Sequence, residues 1–156
     1  MNKIKTKGEQ AHALFLQGFN CSQSVVAAFA DELGMSQEQA LKLAAGFGGG
    51  FGRMREVCGA FSGIVIVISS LYGNSDPAGK SDFYREIQKL AARYREENGG
   101  NSIVCRELLG LEKAEGTHVA AKRTEEYNKK RPCPELVRLA AEITEEYIEM
   151  AAGRVV

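Results

Sequence analysis

Helix punctuation constrains this chain more than any other feature. Side chains that cap helices and glycines that stop them recur at short intervals, and the apolar residues between them keep a helical spacing. In "GEQAHALFLQG" the apolar positions 11, 14 and 15, continued at 19, form one stripe that ends near Gly18. Asn20 predicts the start of a helix through "CSQSVVAAFADELG", closed by Gly34, because its side chain can accept from the free N–H groups of the first turn. Ser36 predicts the next, "QEQALKLAA", which stops at Gly46. "VCGAFSGIVIVISSLYG" is ambiguous. Its β-branched run suits a buried strand, but its length and its Gly59/Gly63 spacing favour a buried helix. Farther on, "SDFYREIQKLAARYREENGG" puts Phe83, Ile87, Leu90, Ala91 and Tyr94 on one face. Ser102 predicts a short helix in "IVCRELLG", and the polar "THVAAKRTEEYNKK" reads as a lid or a mobile connector. Pro134, suited to the first helical position, opens a last helix through "LVRLAAEITEEYIEMAAG". The expectation is an all-α fold: a single irregular helical-bundle domain of about six or seven helices over residues 1–156.

Size and charge narrow the function. A chain of 156 residues can bury about two-thirds of its unfolded surface, enough for one core. Its 20 basic and 20 acidic side chains leave no net charge, which argues against a nucleic-acid partner. The longest apolar run, "GIVIVI", is far shorter than the roughly 20 residues that span a bilayer, and "MNKIKTKGEQ" has no apolar leader segment. A cytoplasmic protein without membrane insertion is expected.

In a reducing cytoplasm, cysteines serve as ligands, redox thiols or buried apolar groups more often than as permanent disulfides. Cys21, Cys58, Cys105 and Cys133 are separated by 37, 47 and 28 positions with no C-x-x-C pair. A zinc ribbon or thioredoxin-like motif would need two sulfurs from one tight turn, so any shared site must be assembled by the fold. On the helix map all four share a position. Cys21 follows the Asn20 cap, Cys58 enters the Gly59/Gly63 helix, Cys105 lies three residues past Ser102, and Cys133 precedes Pro134. Free N–H groups and the positive end of the helix dipole favour a thiolate there, so these thiols are expected to ionise more readily than a free cysteine.

The small residues Gly59, Ala60 and Gly63 would let another helix or a bulky inorganic group approach the backbone and leave N–H groups facing sulfur. Close helix packing through a small-x-x-x-small face is the plainer alternative. The loop from Gly46 to Gly52 holds five glycines in seven residues and could wrap amides around an anion, aided by Arg53 and Arg55. It lacks the Gly-Lys-Ser/Thr ending of a phosphate loop, so a flexible connector or a subunit contact is the expectation. His12 and His118 read as structural. No Ser-His-Asp or paired-carboxylate constellation stands out, and Glu96/Glu97 and Glu145/Glu146 look like solvated helix faces.

Together, "NCSQSV", "CGAFSG", "VCRELLG" and "RPCPELV" resemble the C-GCAxxG-C-C family of small bacterial and archaeal proteins, to which a redox role is ascribed. The likeness runs from about Gly18 into the last helix, and Cys21, Cys58, Gly59, Ala60, Gly63, Cys105 and Cys133 all fall on motif positions. The resemblance implies a helical domain with four functional cysteines. The related split-Soret cytochromes resemble this domain joined to a c-type haem segment and are associated with an iron–sulfur centre. This chain has no C-x-x-C-H, so covalent haem is not expected.

Three readings follow. The first is an electron-transfer component in which Cys21, Cys58, Cys105 and Cys133 bind an iron–sulfur cluster, with Gly59, Ala60 and Gly63 beside it and a redox partner protein exchanging electrons. It requires the four sulfurs to converge. The second is a metal-free thiol–disulfide protein with Cys58 or Cys133 as the exposed, catalytic attacker, and it requires one sulfur pair near bonding distance. The third is a non-catalytic module in which the cysteines hold zinc or simply pack, while the apolar helices build a homodimer. The first is the expectation.

Overall fold

A computed structural model describes residues 5–153. Among these residues there are eight α-helices and no strand: α1 (Lys7–Leu16), α2 (Cys21–Ala28), α3 (Gln37–Ala44), α4 (Gly59–Tyr72), α5 (Lys80–Glu97), α6 (Cys105–Leu108), α7 (Glu125–Lys130) and α8 (Cys133–Gly153). The all-α expectation holds. The extra element is α7, a helix of six residues inside the polar segment, and the ambiguous apolar stretch is helix α4.

Local capping explains most of the boundaries. Asn20 and Ser36 accept from the N–H groups of Gln23 and Gln39, whose side chains return to the N–H groups of the caps, so two free donors are satisfied at each start. Thr6 caps α1 by accepting from Glu9 N–H, and Thr124 caps α7 through Tyr127 N–H. Two boundaries differ from expectation. Helix α2 ends at Ala28, with the chain continuing in turns to Gly34, which takes φ +67°. Ser102 does not cap α6. The cap position is Val104, and the Ser102 hydroxyl accepts Val104 N–H while donating to Glu107.

The core is made where α1 packs on α8, α2 on α4, and both pairs on each other. Phe29, Val25 and Val26 from the second helix region meet Ile64, Val67 and Ile68 of α4 and Val137 and Ile143 of α8, all essentially inaccessible to water. Gly63 makes the α2–α4 contact possible. A Cβ there would lie 2.7 Å from Val25 Cβ, so this residue answers to helix packing.

One end of this bundle is covered by chain of another kind. Residues 49 to 53 run in succession through left-handed backbone, with φ between +53° and +71°. Phe51 and Arg53 occupy that region without the freedom of glycine, at roughly 1–2 kcal/mol each. The turn is held by its own backbone: the N–H groups of residues 51 to 56 bond to carbonyls of residues 46 to 51. The expected flexible connector is thus a rigid, hydrogen-bonded turn, and these six amides are not available to wrap an anion. Beyond it, Val57 and Val104 form an antiparallel bridge in which Cys58 N–H donates to Ile103 O at 2.7 Å and Cys105 N–H to Glu56 O. That bridge lays residues 103–106 beside residues 55–58 and carries Cys105 to the start of α4.

A candidate four-cysteine site

The predicted placement of the cysteines is met at every position. Cys21 is the first residue of α2, Cys58 the cap of α4, Cys105 the first residue of α6 and Cys133 the first residue of α8. All four line one cavity of about 280 Å³ at the covered end of the bundle. None is in a disulfide. Cys58 and Cys105 are buried, Cys21 and Cys133 half-buried, so of the two attackers that the thiol–disulfide reading allows, Cys58 is enclosed and Cys133 keeps partial access.

The glycines divide. At Gly59 a Cβ would lie 2.3 Å from Cys21 Sγ and 2.9 Å from Phe47 O, so glycine is required for Cys21 to sit against the start of α4. Gly50 makes equivalent room on the opposite wall, where a Cβ would be 2.8 Å from Cys105 Cβ. Ala60 is fully buried and, like Gly59, lines the cavity, whereas Gly63 packs on Val25 one turn farther along. The backbone N–H groups of Ala60 and Phe61 bond toward Cys58, as expected from small residues after that cysteine.

Ionisation goes against the expectation. Burial pushes the Cys58 thiol up to about 12, with the neighbouring charge of Cys21 adding to it, although Tyr94 and the amides of Phe61 and Ala60 pull the other way. Burial also raises Cys133 to about 12, reinforced by Cys21, Cys58 and Cys105 and opposed by Arg131. Cys105 is raised too, burial outweighing its contact with Arg55. The helix N-termini are present, but removal from water and four sulfurs in one place outweigh them. The mutual influence is itself evidence of convergence, since each sulfur sits within electrostatic reach of others.

Several partners come from positions far away in sequence. Tyr94 of α5 is buried, with its hydroxyl 3.2 Å from Cys58 Sγ. Burial, then the Cys58 charge, raises its pKa well above the usual phenol value, so the phenol keeps its proton and can donate it to sulfur. Arg55, 6% exposed, places Nη1 3.7 Å from Cys105 Sγ. Arg131 bears electrostatically on Cys105 and Cys133, and its Nη1 is buried without a hydrogen-bond partner. His118, read as structural, lines the cavity with Ala120, Ala121 and Arg123, whereas His12 lies elsewhere, 3.5 Å from Glu135. Tyr94 carries a signal only as one apolar position on α5, Arg55 only as a cation next to the glycine loop, and Arg131 none beyond its charge.

The spacing of the sulfurs matters for what they could hold. Among the described residues no three of His, Cys, Asp and Glu are grouped closely enough to hold a metal ion, yet the four cysteines surround a single cavity. Arg55 and Arg131 add positive charge beside these sulfurs.

Among the described residues no helix is long and apolar enough to cross a membrane. The family described as "Putative redox-active protein (C_GCAxxG_C_C)" matches residues 19–147, a span that includes all four cysteines. No curated protein and no solved structure matches the chain.

Proposed function

The chain belongs to the C_GCAxxG_C_C family, whose description is a redox role, and from that premise we propose an electron-transfer protein in which Cys21, Cys58, Cys105 and Cys133 bind an iron–sulfur cluster. The observation that carries the reading is the convergence of four sulfurs, each from a helix N-terminus, on one cavity of about 280 Å³. When bound, such a cluster supplies one-electron chemistry at a potential set by burial, nearby charge and hydrogen bonds to sulfur.

The residues of the chain have separate tasks in this reading. Tyr94 donates to Cys58 Sγ and Arg55 to Cys105 Sγ, both favouring the thiolate form. Gly59 keeps side-chain atoms out of the space taken by Cys21 Sγ. Phe15, Leu108 and Leu136 give the cavity apolar walls that limit water. Because burial keeps the free thiols protonated, loading must release protons, and affinity rises with pH.

The thiol–disulfide reading is weaker, because Cys58 is buried and Cys133 only half-exposed, and burial pushes both thiols up to about 12, away from the reactive thiolate. A redox partner protein, a homodimer and a cytoplasmic location go with the cluster reading as parts of the same proposal. The test is anaerobic purification with assay of iron, acid-labile sulfide, zinc and the visible spectrum, repeated on Cys58→Ser. Iron and sulfide in near-stoichiometric amount, with a broad visible band lost in the variant, is the expected result. Colourless protein that stays iron-free after reconstitution would overturn it.

A further inference from the structure

Residues 111–124 carry no helix or strand, yet they form one wall of the cysteine cavity through His118, Ala120, Ala121 and Arg123. Two ties hold this strap down. Arg123 Nη1 donates to the carbonyls of Phe15 and Phe19, both at 2.8 Å, with its guanidinium 3.9 Å from the Phe15 ring centroid. The other tie is Glu115. Its Oε1 accepts Nε and Nη2 of Arg55 at 2.7 Å each, and its Oε2 accepts Nη2 of Arg53 at 2.7 Å. Arg53 Nη1 also donates to Thr117 O at 3.1 Å. Burial opposes ionisation of Glu115, but the charge and hydrogen bonds of Arg55, then the charges of Arg53 and Arg131, hold its carboxyl below the usual carboxylate range.

The Glu115 tie differs from the Arg123 tie in one respect. Arg55 is also the guanidinium that reaches Cys105 Sγ, so one buried cation is shared between the sulfur site and the strap. Both arginines stand on the hydrogen-bonded turn, at φ +71° and +62°, so their backbone is held independently of the strap. Arg55 is screened little, its side chain 7% exposed against 29% for Glu115, so a further charge beside Cys105 acts first on the buried guanidinium.

We propose that Arg55 and Glu115 form a charge-sensing latch, with Arg55 a positioning residue that holds the strap over the sulfur site and loosens its hold on Glu115 when that site gains an electron. The redox half rests on the cluster reading. One electron enters from an external donor, no bond is made or broken, and the net charge of the site becomes more negative by one. The added charge draws Arg55 toward Cys105 and repels Glu115, so the closed strap is less favoured in the reduced protein. Coupling between two equilibria is reciprocal, so removing the charge of Glu115 must in turn favour reduction.

Lys113, Lys122 and Arg123 make the strap a target for trypsin, which must draw the chain off the surface to cut it. The experiment measures tryptic cleavage within residues 113–123 of iron-loaded protein, oxidised or reduced with dithionite, with rates normalised to a peptide substrate under the same conditions. The wild type is expected to be cut at least about fivefold faster when reduced. Glu115→Gln should be cut fast in both states and should show a higher midpoint potential, an effect that a merely structural contact would not produce. Equal wild-type rates in the two redox states with iron retained, or a Glu115→Gln variant cut as slowly as wild type, would overturn the latch. Protein that takes up no iron removes the redox half together with the cluster reading. The strap half is then decided in the iron-free protein, where faster cleavage of Glu115→Gln upholds it and equal cleavage overturns it.

Discussion

The two sides of the cysteine site are built by different physics. Three of the sulfurs, on Cys21, Cys58 and Cys133, stand at the starts of α2, α4 and α8, helices whose apolar faces make the core. The fourth, on Cys105, arrives on a helix of four residues, carried there by the Val57–Val104 bridge and faced by a left-handed turn and an arginine-held strap. Apolar burial positions the first three and is insensitive to charge. The fourth is placed by hydrogen bonds and ion pairs that respond to whatever charge the sulfurs carry. A site assembled this way can be rigid on one wall and responsive on the other.

The bundle wall should give the largest stability effect with the least effect on the sulfurs. Ile68 is fully buried in α4, more than two turns from Cys58, so Ile68→Ala should cost about 2–5 kcal/mol through lost burial and a residual cavity. Chemical denaturation should show that loss, while the rate at which the folded protein's thiols react with a labelling reagent should stay within about twofold of wild type. A large change in thiol reactivity without global unfolding would mean that bundle and site are not separable.

Gly59→Ala tests the seam between the two walls. The added methyl would meet Cys21 Sγ at 2.3 Å and Phe47 O at 2.9 Å, so one of them must move. Overpacking of this kind costs about 1–3 kcal/mol, less than the core truncation, yet it should displace a ligand sulfur. Bound iron per chain should fall severalfold. An unchanged iron content would show that Cys21 has freedom the cavity does not suggest.

What could be read from the sequence follows the same division. Asn20 with Gln23 and Ser36 with Gln39 are complete signals within four residues, and both helices start where those residues predict. The N-terminal placement of Cys21 was legible for the same reason, whereas Cys58 and Cys105 start helices that no side chain caps. Ser102 misled because its hydroxyl has a local partner, Val104 N–H, that is available without capping α6. The Arg55–Glu115 and Cys58–Tyr94 contacts join residues 60 and 36 positions apart, and no local pattern encodes such a pairing. Ionisation was misread because a helix N-terminus is visible in sequence, whereas the burial that outweighs it is a property of the assembled cavity.

That misreading yields a pH prediction. Cys58 and Cys133 titrate near 9.0 when unfolded and near 12 in the folded, metal-free protein. Between those values the unfolded chain binds fewer protons than the folded one, so stability is fully present below about pH 9 and is lost as pH rises toward 12. The melting temperature of metal-free protein should therefore be flat with respect to these thiols up to about pH 9 and then fall by several degrees. A double Cys58→Ser, Cys133→Ser variant should lose most of that fall. If it keeps all of it, other groups set the alkaline limit.

Tyr94→Phe makes the smallest change and distinguishes the two walls most finely. The phenol lies on the bundle side, held by the packing of α5, yet its hydroxyl addresses a sulfur whose charge depends on the state of the site. With Cys58 a neutral thiol, sulfur is a poor hydrogen-bond partner and the variant should lose no more than about 1 kcal/mol. With Cys58 a thiolate ligand, the same O–H donates to a charged acceptor, and the loss should approach about 1.5–3 kcal/mol. Denaturation of wild type and Tyr94→Phe, each with and without bound metal, measures that difference directly. A larger loss in the loaded protein means that the bundle wall also feels the charge of the site, through one residue. Equal losses would confine that sensitivity to Arg55 and the strap, and the contrast between the two walls would be complete.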